Sequence, residues 1–372
     1  MNKYLKKNAI TSPWIIDKTG LKDKYSFIIV IPSFNEGIEI IPTLRSISGQ
    51  KNINPTSLLV VIVINNPTNP CKNIFNENQI TINSINESNF NFDICTIDAF
   101  KNYPLPKKKA GVGLARRIGF DLSLKFTNSN SILIALDADT LVEQNYLYIL
   151  KSYFDKGVYN CIIPGIFHQK AIGQIEENAI RKYEKFLYST ANNLAKVNSP
   201  YGFITMGSAM AFTRKCYIKA GGIPPKKATE DFYFLQNVVK TSSVKVIKRK
   251  LVFPSSRISD RVYLGTGFRI HQAKQGYDLE KLYYNKEAFK ILKNWLEIGN
   301  DGFKKSIDKI LSNANQVNIK LPLFLINNNI EKTWNGLQLS SNNNKNFEHQ
   351  FLCWFDGLKT HRLLKYFSNY PL

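Results

Sequence analysis

The chain has little of what builds a metal cage or a covalent framework from sulfur and imidazole. Among its 372 residues are five cysteines and four histidines. Cys71, Cys95, Cys161, Cys216 and Cys353 stand singly, odd in number and without a CxxC pair, which fits reduced thiols rather than disulfides or a zinc site. Long apolar runs are also missing. The longest uninterrupted one, "LLVVIVI" at 58–64, falls far short of the roughly 20 residues that span a membrane. The opening "MNKYLKKNAITSPWIID" is basic but lacks an apolar core or a small-residue cleavage site, so a cytoplasmic protein without an anchor is expected. Acidic residues are scarce, 28 against 50 lysines and arginines, for a net charge of +22. Such a surface attracts nucleic acid, anionic membrane or phosphorylated small molecules, although the abundance of Lys and Asn throughout explains the excess equally well as compositional bias. No aromatic-stacking RNA motif or helix-turn-helix pattern appears, so no nucleic-acid partner is expected.

An apolar content of 44% is ample for a sizeable core. "YSFIIVIPSFNEG" (25–37), "SLLVVIVINNPTNP" (57–70) and "SILIALD" (131–137) read as buried strands that run into turns, and helical spacing lies between them. Continuous apolar strands alternating with helices indicate a largely parallel sheet covered on both faces, with ligands beyond the carboxyl ends of its strands. Pro42 suits the start of a helix. The Asn-rich stretch 72–93 reads as a surface loop or insertion. Later strands are expected at 160–167, 207–214 and 243–253, and the pattern turns helical from about 271.

Three stretches have the residue types for chemistry at a strand or helix end. In "DADT", Asp137 and Asp139 stand one residue apart after an apolar run, where like charges repel unless a cation joins them. Mg²⁺ or Mn²⁺, held by one or two carboxylates and by phosphate oxygens, is the natural occupant, while capping of a following helix explains the pair equally well. "PKKKAGVGLARRIGFD" (106–121) offers glycines for close approach of phosphate and Arg116 for a bidentate grip, or else a helix cap with solvated charges. In "GGIPPKKATEDF", Glu230 and Asp231 follow a basic turn; one carboxylate there suits a general base on a hydroxyl, and a helix cap at Thr229 is compatible with that.

"IIVIPSFNEG", "GVGLARRIG", "DADT", "GSAMAF" and "GGIPPKKATEDF", in this order over about residues 25–240, resemble the family 2 glycosyltransferases. The resemblance implies a GT-A nucleotide-diphospho-sugar transferase fold, an α/β architecture with a mixed, mostly parallel central sheet flanked by helices. It divides the chain into an N-terminal extension (1–24), a catalytic domain (25–270) and a mainly helical C-terminal region packed on or extending it (271–372). By matching position, Pro32, Ser33, Phe34, Asn35 and Glu36 lie against the nucleotide, Gly111 and Arg116 near the diphosphate, Asp137 on ribose or metal, and Asp139 on Mn²⁺ or Mg²⁺. Asp231 becomes the base beside Glu230, and His271 either a third metal ligand or a structural side chain. Arg257 and Arg261 suit the donor diphosphate or an anionic acceptor, and a solvated surface explains them equally well.

The implied reaction moves one sugar from a UDP- or GDP-linked donor to an acceptor hydroxyl with inversion, in cell-envelope or glycolipid synthesis. Two departures shape the expectation. Asn65 and Asn66 occupy the place where the family commonly has a base-reading acidic pair. The Q-x-x-R-W motif of processive members is absent, which argues for non-processive transfer. A lipid-linked or anionic acceptor and peripheral contact at the inner face of a membrane complete the expectation; the amphipathic segment Phe347, Phe351, Trp354, Phe355 and Leu358 either makes that contact or, as the favoured use, packs against the catalytic domain. The alternatives are a sugar-1-phosphate nucleotidylyltransferase, which needs a Gly-rich, Arg-containing loop that "PSFNEG" lacks, and a non-catalytic basic binding module.

Overall fold

The computed structural model of the chain describes residues 2–258 and 265–368. Two compact units divide it, one of residues 1–184 and 205–277, the other of residues 185–204 and 278–372.

In chain order the first unit contains α1 (Asn2–Lys7), β1 (Tyr25–Ser33), α2 (Ile40–Ser48), β2 (Leu58–Asn65), α3 (Lys72–Glu87), β3 (Asp93–Ala99), α4 (Val112–Ser123), β4 (Thr127–Ala135), β5 (Leu141–Val142), α5 (Tyr146–Phe154) and β6 (Cys161–Ile166). It continues through the start of α6 (Gln174–Lys196) and then β7 (Met210–Thr213), α7 (Arg214–Lys219), α8 (Glu230–Thr241), β8 (Val244–Phe253) and α9 (Thr266–Lys274). Every residue of β2 is buried, as is nearly all of β1, because both strands lie inside a sheet covered on its two faces.

One sheet orders the strands β3-β2-β1-β4-β7-β6-β8-β5. β1 runs parallel to β2, with Phe27 opposite Leu58 and Ser33 opposite Ile64, and parallel to β4 on its other side. The sheet is more mixed than the sequence leads one to expect. β7 enters antiparallel between β4 and β6, and β5 pairs antiparallel with β8. The shared carboxyl ends of β1, β2 and β4 therefore form one rim, from which the chain leaves toward Glu36, Asn65 and Asp137.

Residues 72–93 are not a loop. They form α3 and the start of β3, and the side of α3 facing inward presents Asn78, Thr81 and Ile85. Two of these three are polar, so a count of apolar residues hides the helical period. Burying them is sustained by hydrogen bonds: Asn78 donates to the Asn65 carbonyl and to Asn66 Oδ1, and Thr81 to the Gly37 carbonyl. The N-terminal segment is also well anchored. Tyr4 and Trp14 are buried, and the Trp14 indole donates to the Tyr103 carbonyl.

The second unit holds the end of α6 and six helices, α10 (Lys286–Asn300), α11 (Ile307–Val317), α12 (Leu321–Asn327), α13 (Ile330–Ser340), α14 (Asn344–Trp354) and α15 (Gly357–Phe367). Phe347, Phe351 and Phe355 are buried with Trp295 and Trp334, with ring edges against ring faces. Each such side chain contributes roughly 1.5–3 kcal/mol by leaving water. These aromatics are thus spent on packing within their own unit, and not on the membrane face that was the other use open to the segment. Asp356 caps α15 by accepting from Lys359 N, so the amphipathic segment is two helices rather than one. Among the described residues no helix is long and apolar enough to cross a membrane.

Candidate functional site

The rim is built by turns that the sequence encodes directly. After Ser33 the chain reverses with Asn35 at φ 58° and Gly37 at φ 55°, left-handed positions that asparagine and glycine accept most readily. Asn35 N donates to Asn78 Oδ1 across this turn. Glu36 is thereby held between them, buried at the mouth of β1. After β4, Leu136 N donates to the Val30 carbonyl and Thr140 N to the Asp137 carbonyl, and the chain passes into β5. No helix starts at "DADT", so the capping explanation of Asp137 and Asp139 fails.

Two arginines gather the carboxylates. Arg116 lies on α4 with its side chain 2% exposed, and its two terminal nitrogens donate to Asp137 Oδ1 and Glu230 Oε1. Arg257, which follows β8, donates from the single nitrogen Nη2 to Glu36 Oε2 and Asp139 Oδ2, each at 2.6 Å. Side chains from the loops after β1, β4 and β8 and from the starts of α4 and α8 thus meet in one charged cluster. Arg116 is committed to carboxylates, so the expected open grip on diphosphate is not the arrangement found.

Close packing forces Arg116 into this position. A Cβ on Gly113 would collide with the Pro224 and Lys226 carbonyls, and one on Gly111 with the Lys227 backbone. A Cβ on Gly207 would overlap the Arg116 guanidinium itself. The glycines expected to admit phosphate here admit the 224–230 segment, and "GSAM" at the start of β7 makes room for the arginine. Thr229 precedes α8 at φ 63°, a strained position for a β-branched residue, and donates to the Ala228 carbonyl instead of capping the helix. Asp231 Oδ1 accepts from Phe232 N, and its carboxylate stays half-buried beside Glu230.

Electrostatics follow from this crowding. Burial pushes the Glu230 carboxyl up to about 7, with Arg116 opposing and Asp231 and Asp137 adding to the rise. Burial likewise raises Asp137 above the usual range; Arg116 offsets part of this and Asp139 adds to it. Arg116 itself loses by burial, but Asp137, Glu230 and Asp231 more than restore its charge.

The expected base-reading amides have another task. Asn65 and Asn66 are buried, and their amide nitrogens donate to the carbonyls of Ser33 and Val63 and of Pro67 and Phe100. They brace the floor of the rim. The expected trio of metal ligands is not assembled either. His271 lies on α9 with Nε2 2.8 Å from Gln275, and among the described residues no group of three or more His, Cys, Asp or Glu side chains gathers to hold a metal. The donors that do converge are carboxylates, the hard-oxygen type suited to Mg²⁺ or Mn²⁺, and Asp139 keeps its side chain 29% exposed. The residues therefore fit a cation at Asp139 completed by ligands from outside the protein. Arg261 lies outside the described residues.

Sequence reasoning missed the supports beneath this cluster. Gln169 donates to the Asp139 and Phe253 carbonyls, fixing the loop after β4 to the end of β8. Beside it His168 is fully buried between Glu184 and Thr266, 2.9 Å from each. Hydrogen bonds from His168 and Arg181 hold Glu184 below the usual carboxylate range despite its burial. Only the position of "HQ" just past a strand hinted at such a role.

No known family profile matches the chain, and no curated protein does. Among solved structures the chain is similar to S. aureus TarS residues 1–349, at 12% identity and a TM-score of 0.44 over 88% of this chain and 89% of that one. The same protein in complex with UDP-GlcNAc aligns at 11% identity and a TM-score of 0.45, over 84% and 92%. A longer S. aureus TarS chain aligns at 13% identity and a TM-score of 0.42, over 91% and 54%.

Proposed function

We propose that the chain is a glycosyltransferase with a GT-A-like catalytic unit, moving one sugar from a nucleotide-diphosphate donor to an acceptor hydroxyl. The observation that carries this reading is a pair of arginine-held carboxylate couples, Asp137 with Glu230 on Arg116 and Glu36 with Asp139 on Arg257, in which Glu36, Asp137 and Asp139 follow the carboxyl ends of the parallel strands β1 and β4 and Glu230 opens α8. Asp231 accepts the proton of the acceptor hydroxyl as its oxygen attacks the anomeric carbon. The bond from that carbon to the diphosphate breaks in the same displacement, with inversion. Arg116 and Glu230 orient Asp137 and the start of α8, so that base and donor carboxylates keep a fixed spacing. Asp139 is the residue to hold Mn²⁺ or Mg²⁺, which when bound neutralises charge on the departing nucleoside diphosphate.

Turnover of UDP- and GDP-sugars with Mn²⁺, read as release of nucleoside diphosphate, tests the assignment. Asp231→Asn is expected to lower the rate by about 10²–10⁴-fold, and Asp139→Ala to abolish the response to metal. Undiminished turnover in both variants would sink it.

A further inference from the structure

Arg257 occupies a peculiar place in the cluster. A single nitrogen, Nη2, lies 2.6 Å from Glu36 Oε2 and 2.6 Å from Asp139 Oδ2, so the two carboxylate oxygens converge on one point from opposite loops. Mg²⁺ sits about 2.0–2.1 Å from its oxygens, so two carboxylate oxygens that now share one positive nitrogen would each close in by about half an ångström to share such an ion. Asp137 does not share this point. Its Oδ1 is committed to Arg116, whose side chain is buried and anchored on Glu230 as well.

The two arginines differ in how freely they can leave. Arg116 is enclosed and pinned at both ends of its guanidinium, whereas the Arg257 side chain is 38% exposed and follows β8 on an irregular segment. The Glu36 side chain is only 5% exposed, so an arginine that leaves it has to be replaced by another positive group rather than by water alone.

We infer that Glu36 is the second protein ligand of the divalent cation at Asp139, and that Arg257 is its internal placeholder, holding the two carboxylates together until the cation displaces it. This inference rests on the reading of Asp139 as a donor-metal ligand. It changes the expected pair from Asp137 with Asp139 to Glu36 with Asp139. It also gives the glutamate that precedes Gly37 a task of its own. A placeholder keeps two like charges from repelling one another while the site has no cation, and makes cation entry an exchange of one positive group for another.

The test titrates Mn²⁺ alone into the full chain without any nucleotide, following loss of the free-ion signal by electron paramagnetic resonance. Arg257→Ala is expected to bind Mn²⁺ roughly tenfold more tightly than the unmodified chain, since the competitor is gone. Adding Glu36→Gln to that variant is expected to cancel the gain, and adding Asp137→Asn to preserve it. Equal or weaker Mn²⁺ binding in Arg257→Ala overturns the placeholder. A gain that survives Glu36→Gln but is lost with Asp137→Asn overturns the choice of Glu36. Arg257→Gln, which keeps a polar side chain there, is measured alongside; it should reproduce the gain, and circular dichroism establishes that each variant is folded. Because no sugar nucleotide is present, these results stand apart from turnover: expected Mn²⁺ binding without sugar transfer would leave the inference and remove the proposed reaction.

Discussion

Gly113 shows how a residue chosen for its lack of a side chain can decide where charge goes. Its Cα hydrogens face the Pro224 and Lys226 carbonyls, and backbone atoms cannot swing aside as a flexible side chain would. Gly113→Ala is expected to cost about 1–3 kcal/mol through overpacking, seen as a lower melting temperature, together with a fall in turnover as Arg116 shifts from Glu230. A variant that melts and turns over like the original chain would show that the contact gives way freely. At this scale much was legible. "PSFNEG" spells a turn with two left-handed positions, and "DADT" placed its carboxylates correctly at a strand end. The partners of those residues were not legible, because Arg257 meets Glu36 across 221 positions of sequence. Nor could the sequence tell that Asn65 and Asn66 would be consumed by backbone carbonyls.

Elements were legible where burial is apolar and hidden where it is polar. β1, β2 and β4 announced themselves as unbroken apolar runs, while α3 buries Asn78 and Thr81 and so kept its period concealed. The N-terminal segment was obscured for the same reason. What ties it down is Asp121 on α4, a fully buried carboxylate that accepts from Tyr4 Oη at 2.8 Å, Ile10 N at 2.7 Å, Tyr217 Oη at 2.8 Å and Arg117 Nε at 2.6 Å. Removing it leaves the Arg117 charge buried and four donors without their acceptor. Asp121→Ala is expected to destabilise the chain by about 3–5 kcal/mol and to make residues 1–20 the first site of limited proteolysis. Equal protease resistance would mean that Tyr4 and Trp14 packing and the hydrogen bonds of Trp14 and Asn8 hold the segment without it.

For the whole molecule the net charge of +22 makes acid the demanding side of the stability profile, since every protonation adds to self-repulsion. One group in the helical unit adds a defined share. His361 on α15, 3.2 Å from Tyr284 Oη, has its pKa lowered from 6.5 to about 4, first by burial and then by Lys365. Between these values the unfolded chain binds a proton that the folded chain refuses, so stability is fully present above about 6.5 and falls as pH drops toward 4. His361→Gln should flatten that limb in melting curves taken from pH 7 to pH 4, and parallel curves for the two proteins would refute the assignment.

The contact between α4 and the 224–230 segment has a kinematic consequence. Gly113 N donates to the Lys226 carbonyl at 3.2 Å, and neither Gly111 nor Gly113 leaves a gap into which either piece could slide. Helix and segment are a single link, with Arg116 riding on one part and Glu230, the residue before Asp231, on the other. Under the proposed reaction, an acceptor entering beside Asp231 would meet the helix and the segment as one lever rather than as two parts.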